Sequence, residues 1–377
     1  MRSNLHLRRE GNQSIVIVSV DRRGYAFTMD SEIHQNALAT IADTANRLVW
    51  KNPDFNLLHL RPVDEYPLIA RVLHDQLIKA HGRGRLMLPD LAAFDNSSVA
   101  VFSDYAGESS GNYYTYSALV CGWNYIGAFA ARMAEVRKLH SLGEKEISFK
   151  DFGMGQLRRS LPDYLTALNN LLPGFLCTLI VDKRIETLFG PDGRQLAEML
   201  ETEGVGEWKP KLTEKLLRVA HLTAFLTVLL ARDGQKVFWM TDNDSVCAND
   251  EQHMGALKVF ERAIRIYQRP NQKFALVGGA RPFNPKSLDT LDILSACDVT
   301  ASTLEHYFTR KNRESAEELV VKAGAETVLS WLTSDGIGLK KATFIVKYRE
   351  DSQIDVGTVD FTPVEKPTNL TLIPIFM

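Results

Sequence analysis

Three aspartates stand where chemistry could be done. Asp104 closes the apolar run Ser98-Val99-Ala100-Val101-Phe102-Ser103, and Asp242 closes Lys236-Val237-Phe238-Trp239-Met240-Thr241. An acid at the end of a buried strand points into the crevice where α/β sheets bind ligands. Asp298 sits in Leu291-Asp292-Ile293-Leu294-Ser295-Ala296-Cys297-Asp298-Val299-Thr300, an otherwise apolar or small-residue helical stretch. Ser295, Ala301 and Ser302 lie on its face of that helix and leave room beside the carboxylate. An aspartate buried alone would be costly, so it must be paired, hydrogen-bonded or bound to a cation. Each of the three also has an ordinary use as a turn, cap or ion-pair residue. Together, they form a set of hard oxygen donors suited to Mg2+ or Mn2+. Two such ions ~4 Å apart activate water and steady a leaving oxygen in phosphodiester cleavage. Asp244, two residues beyond Asp242, is a further acid that reads equally well as a solvated turn residue.

The pattern around these acids predicts the elements that hold them. Ser98–Asp104, Asn112–Trp123, Phe175–Asp182 and Lys236–Asp242 read as strands, with a short strand over 273–277. Helical spacing predicts helices near 124–141, 195–202, 211–231, 251–268 and 288–309. Strands mixed with helices imply a sheet covered by helices, so residues 96–310 are expected to form an α/β domain. Residues 1–95 carry the strand Ser14–Val20 and helical patterns near 31–50 and 66–81, as an α+β accessory domain would. Residues 311–377 hold a polar helical stretch and the strands Ala342–Tyr348 and Leu370–Phe376. These form a C-terminal extension that either continues the main sheet or stands apart.

Composition narrows the field. The 377 residues are 45% hydrophobic and 24% charged, ordinary for a globular protein. With 44 Lys and Arg against 46 Asp and Glu, a globally basic nucleic-acid coat is excluded, but a local basic groove is not. Basic residues gather at Arg132, Arg137, Lys138 and His140, at Arg158 and Arg159, and at Arg310, Lys311 and Arg313. Lys150 could meet a phosphate, and Tyr113, Tyr114 and Tyr116 could stack on bases, though exposed lysines and sheet tyrosines are common. The longest apolar stretch, His221–Ala231, is about half of the ~20 residues that a membrane helix needs. The start lacks an apolar leader segment, so a cytoplasmic location is expected. Cys121, Cys177, Cys247 and Cys297 are scattered without metal-ligand spacing. Gly107-Glu108-Ser109-Ser110-Gly111 matches G-x-S-x-G, but a strand rather than a helix follows, which argues against a nucleophile elbow. Gly153-Met154-Gly155 lacks the context of a dinucleotide fingerprint, and no phosphate-binding Walker loop is present.

In order along the chain, Val101-Phe102-Ser103-Asp104 with its following Glu-Ser-Gly-like turn, Tyr116-Ser117-Ala118-Leu119-Val120, Glu146-Ile147-Ser148-Phe149-Lys150, Ile180-Val181-Asp182-Lys183 and Leu291–Thr300 resemble the DUF3800 family over roughly 98–310. The resemblance implies an RNase H-like mixed sheet flanked by helices. It also implies metal-dependent cleavage of nucleic acid by an acidic cluster, and nominates Asp104, Asp242 and Asp298 as catalytic and metal-binding residues. Glu108 is a secondary candidate, because three residues separate it from Asp104 where the family has adjacent acids. Glu135 is a candidate for a helix-borne glutamate, and a solvated helix face explains it equally well.

The expected function is therefore divalent-metal-dependent hydrolysis of DNA or RNA. One alternative is a non-catalytic nucleic-acid- or protein-binding module on the same fold, with a decayed acidic site. Another is a phosphate-ester hydrolase or phosphotransferase that uses the same acids on nucleotide-sized substrates. A protein partner could dock through the amino-terminal domain, and no membrane association is expected.

Overall fold

A computed structural model describes residues 3–10, 13–20, 31–109, 111–280, 287–312, 321–349, 351, 353–361 and 371–375. In chain order the elements are β1 (Ser3–Glu10), β2 (Gln13–Val20), α1 (Ser31–Arg47), α2 (Leu68–Gly82), β3 (Ser98–Ala106), β4 (Tyr113–Gly122), α3 (Gly127–Leu139), α4 (Gly155–Leu171) and β5 (Gly174–Asp182). There follow α5 (Gly193–Thr202), α6 (Pro210–Leu230), β6 (Lys236–Thr241), α7 (Asp250–Tyr267), β7 (Leu276–Gly279), α8 (Leu288–Lys311), α9 (Ala325–Leu332), β8 (Leu339–Tyr348), β9 (Ile354–Thr358) and β10 (Thr371–Ile375).

Two sheets result. A seven-stranded mixed sheet has the order β7-β6-β3-β4-β5-β8-β9, and a three-stranded antiparallel sheet has the order β1-β2-β10. In the larger sheet β3, β4 and β5 form an antiparallel meander. Parallel strands extend it on both sides: β6 on β3 and β7 on β6, and β8 on β5, before antiparallel β9 closes one edge. The carboxyl-terminal region thus contributes to both sheets. Its β8 and β9 continue the main sheet, while β10 pairs with β2.

Central strands read as unbroken apolar runs because helices cover both faces. All nine residues of β5 are buried. Side chains alternate along a strand, so parity decides which face each residue serves. Val99 and Val101 of β3 and Val237 and Trp239 of β6 join a core with α2, α6 and α7. Ala100 and Phe102 of β3 and Met240 of β6 join the opposite core, with α3, α4, α8 and α9. Leu57 to Leu91, ahead of β3, pack into the first of these cores. α6 is buried on nearly every side from Thr213 to Leu230, which explains its apolar sequence without any membrane. Among the described residues no helix is long and apolar enough to cross a bilayer.

Candidate acidic site

Parity and register bring Asp104 and Asp242 together. Asp104 is an even residue of β3 and Asp242 directly follows the last residue of β6, on strands whose even residues face α8. Ser103 pairs with Thr241 in the parallel β3–β6 ladder, and the Asp242 N–H donates to the Ser103 carbonyl at 3.2 Å. The two acids therefore stand side by side on adjacent strands, with backbones about 5 Å apart by strand spacing. α8 crosses this face, and the Cys297 thiol donates to the Phe102 carbonyl at 3.5 Å. That contact fixes the next residue, Asp298, near the end of β3. Ser302 Oγ donates to Asp298 Oδ1 at 3.0 Å, and the Phe149 N–H donates to Asp298 Oδ2 at 3.1 Å.

The Phe149 contact brings in a fourth acid. Residues 146–151 carry no regular strand or helix beyond a short turn at Phe149–Asp151, yet they are held firmly. Lys322 Nζ donates to the carbonyls of Phe149 (2.8 Å) and Lys150 (3.0 Å). Glu146, three residues before Phe149, lies within the field of Asp298 and Asp242, and burial pushes its carboxyl up. Lys150, exposed and 3.9 Å from Glu146, pulls that carboxyl and Asp242 back down.

The electrostatics are those of a partly buried, undercompensated negative cluster. Burial first, then the charges of Asp298 and Asp242, push the Asp104 carboxyl well above the usual carboxylate range. The Tyr105 N–H, donating to Asp104 Oδ1 at 2.7 Å, opposes this. Asp242 is pushed up as well, chiefly by burial and then by Asp244 and Asp298, against the Asn243 N–H and Lys150. Among the described residues no lysine or arginine forms an ion pair with Asp104, Asp242 or Asp298. The donors are hard oxygens lacking a counter-charge, which fits a divalent cation. As they stand, no group of three or more His, Cys, Asp or Glu among the described residues is gathered as a ready metal-ligand set.

Glu108 goes elsewhere. Gly107 turns the chain at φ +101°, and a Cβ there would lie 2.0 Å from the Tyr113 carbonyl oxygen. The turn delivers Glu108 to Lys215 of α6, on the other side of the sheet. Lys215 also meets Asp244, which accepts from the Tyr105 hydroxyl and from the Val246 N–H at 2.9 Å. Asp244 is thus a tied loop residue whose charge nevertheless reaches Asp104 and Asp242. Glu135 is 68% exposed and bonds to Arg132 at 2.7 Å.

The other candidates are placed as follows. Tyr113 and Tyr116 are buried sheet residues, and Tyr114 is half-buried beneath Lys183. Arg137 is buried on Asp292 and His140 lies on Asp163, whereas Arg158, Arg159 and Lys311 are exposed. Arg313 lies outside the described residues. Ser109 sits in the loop between antiparallel β3 and β4, not in a strand–turn–helix elbow. All four cysteines are free and buried.

Sequence reasoning quoted Glu146 only within the segment Glu146–Lys150 of the family resemblance and did not nominate it as a site residue; its signal was that segment, an acid and a lysine between two helices. Against known proteins, no family model matches the chain, and no curated protein matches it either.

Proposed function

We propose that this protein is a divalent-metal-dependent phosphodiesterase acting on nucleic acid, a member of the DUF3800 family with an RNase H-like sheet. The carrying observation is the adjacent placement of Asp104 and Asp242 under Asp298, three acids that no lysine or arginine among the described residues pairs with. Support for the fold reading comes from the meander β3-β4-β5 continued by parallel β6 and β7 on the side of its first strand. Free, buried cysteines support a reducing, cytoplasmic setting.

On this reading Asp104, Asp242 and Asp298, with Glu146 as a fourth, hold Mg2+ or Mn2+. When bound, the metal supplies a nucleophilic water and charge for the leaving oxygen. The chain's own residues do the rest. Ser302 and the Phe149 N–H orient Asp298. The Tyr105 N–H orients Asp104, and Lys150 supplies an exposed ammonium beside the acids for a phosphate oxygen.

The test is cleavage of single- and double-stranded DNA and RNA in Mn2+ or Mg2+, with Asp298→Asn and Glu146→Gln alongside. Cleavage that needs the metal and falls at least about a hundredfold in Asp298→Asn is expected, as for loss of a group acting on the reacting atoms. A cleavage that survives Asp298→Asn would overturn the assignment. The second reading, a binding module with a decayed site, is favoured by the lack of a ready ligand set and by the diversion of Glu108 to Lys215. Salt-dependent binding with no cleavage in any metal would select it.

A further inference from the structure

Four hydrogen bonds close a ring that starts and ends on α8. The Phe149 N–H donates to Asp298 Oδ2 at 3.1 Å. The carbonyls of Phe149 and Lys150 accept from the Lys322 ammonium at 2.8 and 3.0 Å. The Lys322 N–H then donates to His306 Nε2 at 3.1 Å. Asp298 and His306 both belong to α8, roughly two turns, about 12 Å, apart along its axis. The turn at Phe149–Asp151 is therefore hung from one helix at two points, and Lys322 makes the second.

The turn depends on such outside help. Segment 146–151 has no ladder or helix of its own beyond this short turn, so its backbone groups must find distant partners. Lys322 serves two of them. Both acceptors are neutral, so the ammonium holds chain rather than cancelling an acid. It also lies 4.6 Å from the centre of the Phe149 ring, a second attraction to the same residue. The chain that carries Lys322 is seated independently. Gly324 turns at φ +92°, and a Cβ there would lie 3.0 Å from Phe152 Cδ2 and 3.1 Å from Leu161 Cδ1. The Phe152 ring in turn lies 5.1 Å from that of Phe149. The ammonium thus reaches the turn from a fixed base. Lys322 stands outside residues 98–310, the stretch that carries all the acids, in the carboxyl-terminal region.

We propose that Lys322 is a positioning residue for the metal site, and that the carboxyl-terminal region completes the site through it. By holding the Phe149 and Lys150 carbonyls it fixes the turn whose N–H orients Asp298 and whose approach brings Glu146 into the field of the acids. This role rests on the reading of those acids as a metal site. Partners that orient metal ligands govern metal affinity by about 10–100-fold.

The experiment is calorimetric titration of Mn2+ into the full-length protein, into its Lys322→Met and Lys322→Arg variants and into Asp298→Asn, with urea unfolding in EDTA to show that each is folded. Expected are saturable binding to the wild type, none to Asp298→Asn, and binding at least about tenfold weaker in Lys322→Met. Lys322→Arg, which offers N–H donors to both carbonyls, should return to within about threefold of wild type. A merely structural lysine would shift the urea midpoint and leave the Kd of the folded protein unmoved. Should Lys322→Met fail to fold, Phe149→Pro cuts the ring one link nearer Asp298. Proline lacks the N–H, the preceding Ser148 is extended at φ −123°, ψ 144°, and the first position of a helical turn accepts proline. It should weaken Mn2+ binding by the same factor. No binding to the wild type, or equal binding to Asp298→Asn, would overturn the metal-site reading and this proposal with it. Binding lost in Asp298→Asn but unchanged in Lys322→Met or Phe149→Pro, or a Lys322→Arg protein as weak as Lys322→Met, would overturn the positioning role alone.

Discussion

Replacing Asp104 by asparagine should make the metal-free protein more stable, not less. Asp104 is 8% exposed and its carboxyl is raised by burial and by Asp298 and Asp242. At the roughly 5 Å set by strand spacing, two unit charges repel by about 3 kcal/mol at an effective dielectric constant of ~20. Asp242 and Asp298 are half-buried, so water and salt screen part of this. A net gain of about 1–3 kcal/mol in Asp104→Asn is therefore expected above the raised value of the carboxyl. The sign follows from proton binding. A carboxyl raised in the folded state holds a proton that the unfolded chain has released, so stability falls as pH rises from the usual carboxylate range through the raised value. In EDTA the wild type should lose stability across that window, and Asp104→Asn should show a flatter profile and the higher value at pH 8. Adding Mn2+ should reverse the order. At one thousand times its Kd the metal stabilises the wild type by about 4.1 kcal/mol, more than the variant's gain, and should leave the variant unmoved. Urea unfolding of both proteins followed by tryptophan fluorescence at pH 5 and pH 8, with EDTA or Mn2+, reads all eight values. An Asp104→Asn protein less stable than wild type in EDTA at pH 8, or one stabilised equally by Mn2+, would refute the reasoning.

Two further outcomes follow from ion pairs around the site. Arg137→Met would leave Asp292, 1% exposed at the α3–α8 contact, without the guanidinium it meets, and should cost about 3–5 kcal/mol in urea unfolding. Lys215→Met would release Glu108 and Asp244 beneath the strand ends that carry Asp104 and Asp242, and should lower stability by about 2 kcal/mol. It should also tighten Mn2+ binding, as calorimetry would register, because the Asp244 charge, no longer offset by the Lys215 ammonium, then adds to the negative field at Asp104 and Asp242.

Some of this was legible in the sequence, for local reasons. The runs before Asp104 and Asp242 are apolar because both faces of the central strands are covered, and that makes the strands visible. Asp298 stands out because the small residues Ser295, Ala301 and Ser302 surround it on its helix face, although α8 also carries Asp289, Asp292 and Glu305. Four elements escaped: β1 and β9 are short on apolar residues, α4 carries Pro162 inside it, and α9 is only eight residues long. The strand expected over 273–277 lies at 276–279, where pairing with β6 decides its bounds.

The chain's residue types and periodicity determined the elements, their parity and three strand- or helix-borne acids, because a period of 2 or 3.6 is a local property. Adjacency was decided only by tertiary structure. Nothing local makes Ser103 pair with Thr241, carries Glu146 toward Asp298 through an N–H 149 residues away, or sends Glu108 through the Gly107 turn to Lys215. Those placements come from ladder register and from hydrogen bonds between distant segments, and such bonds form only once the sheet has brought those segments together.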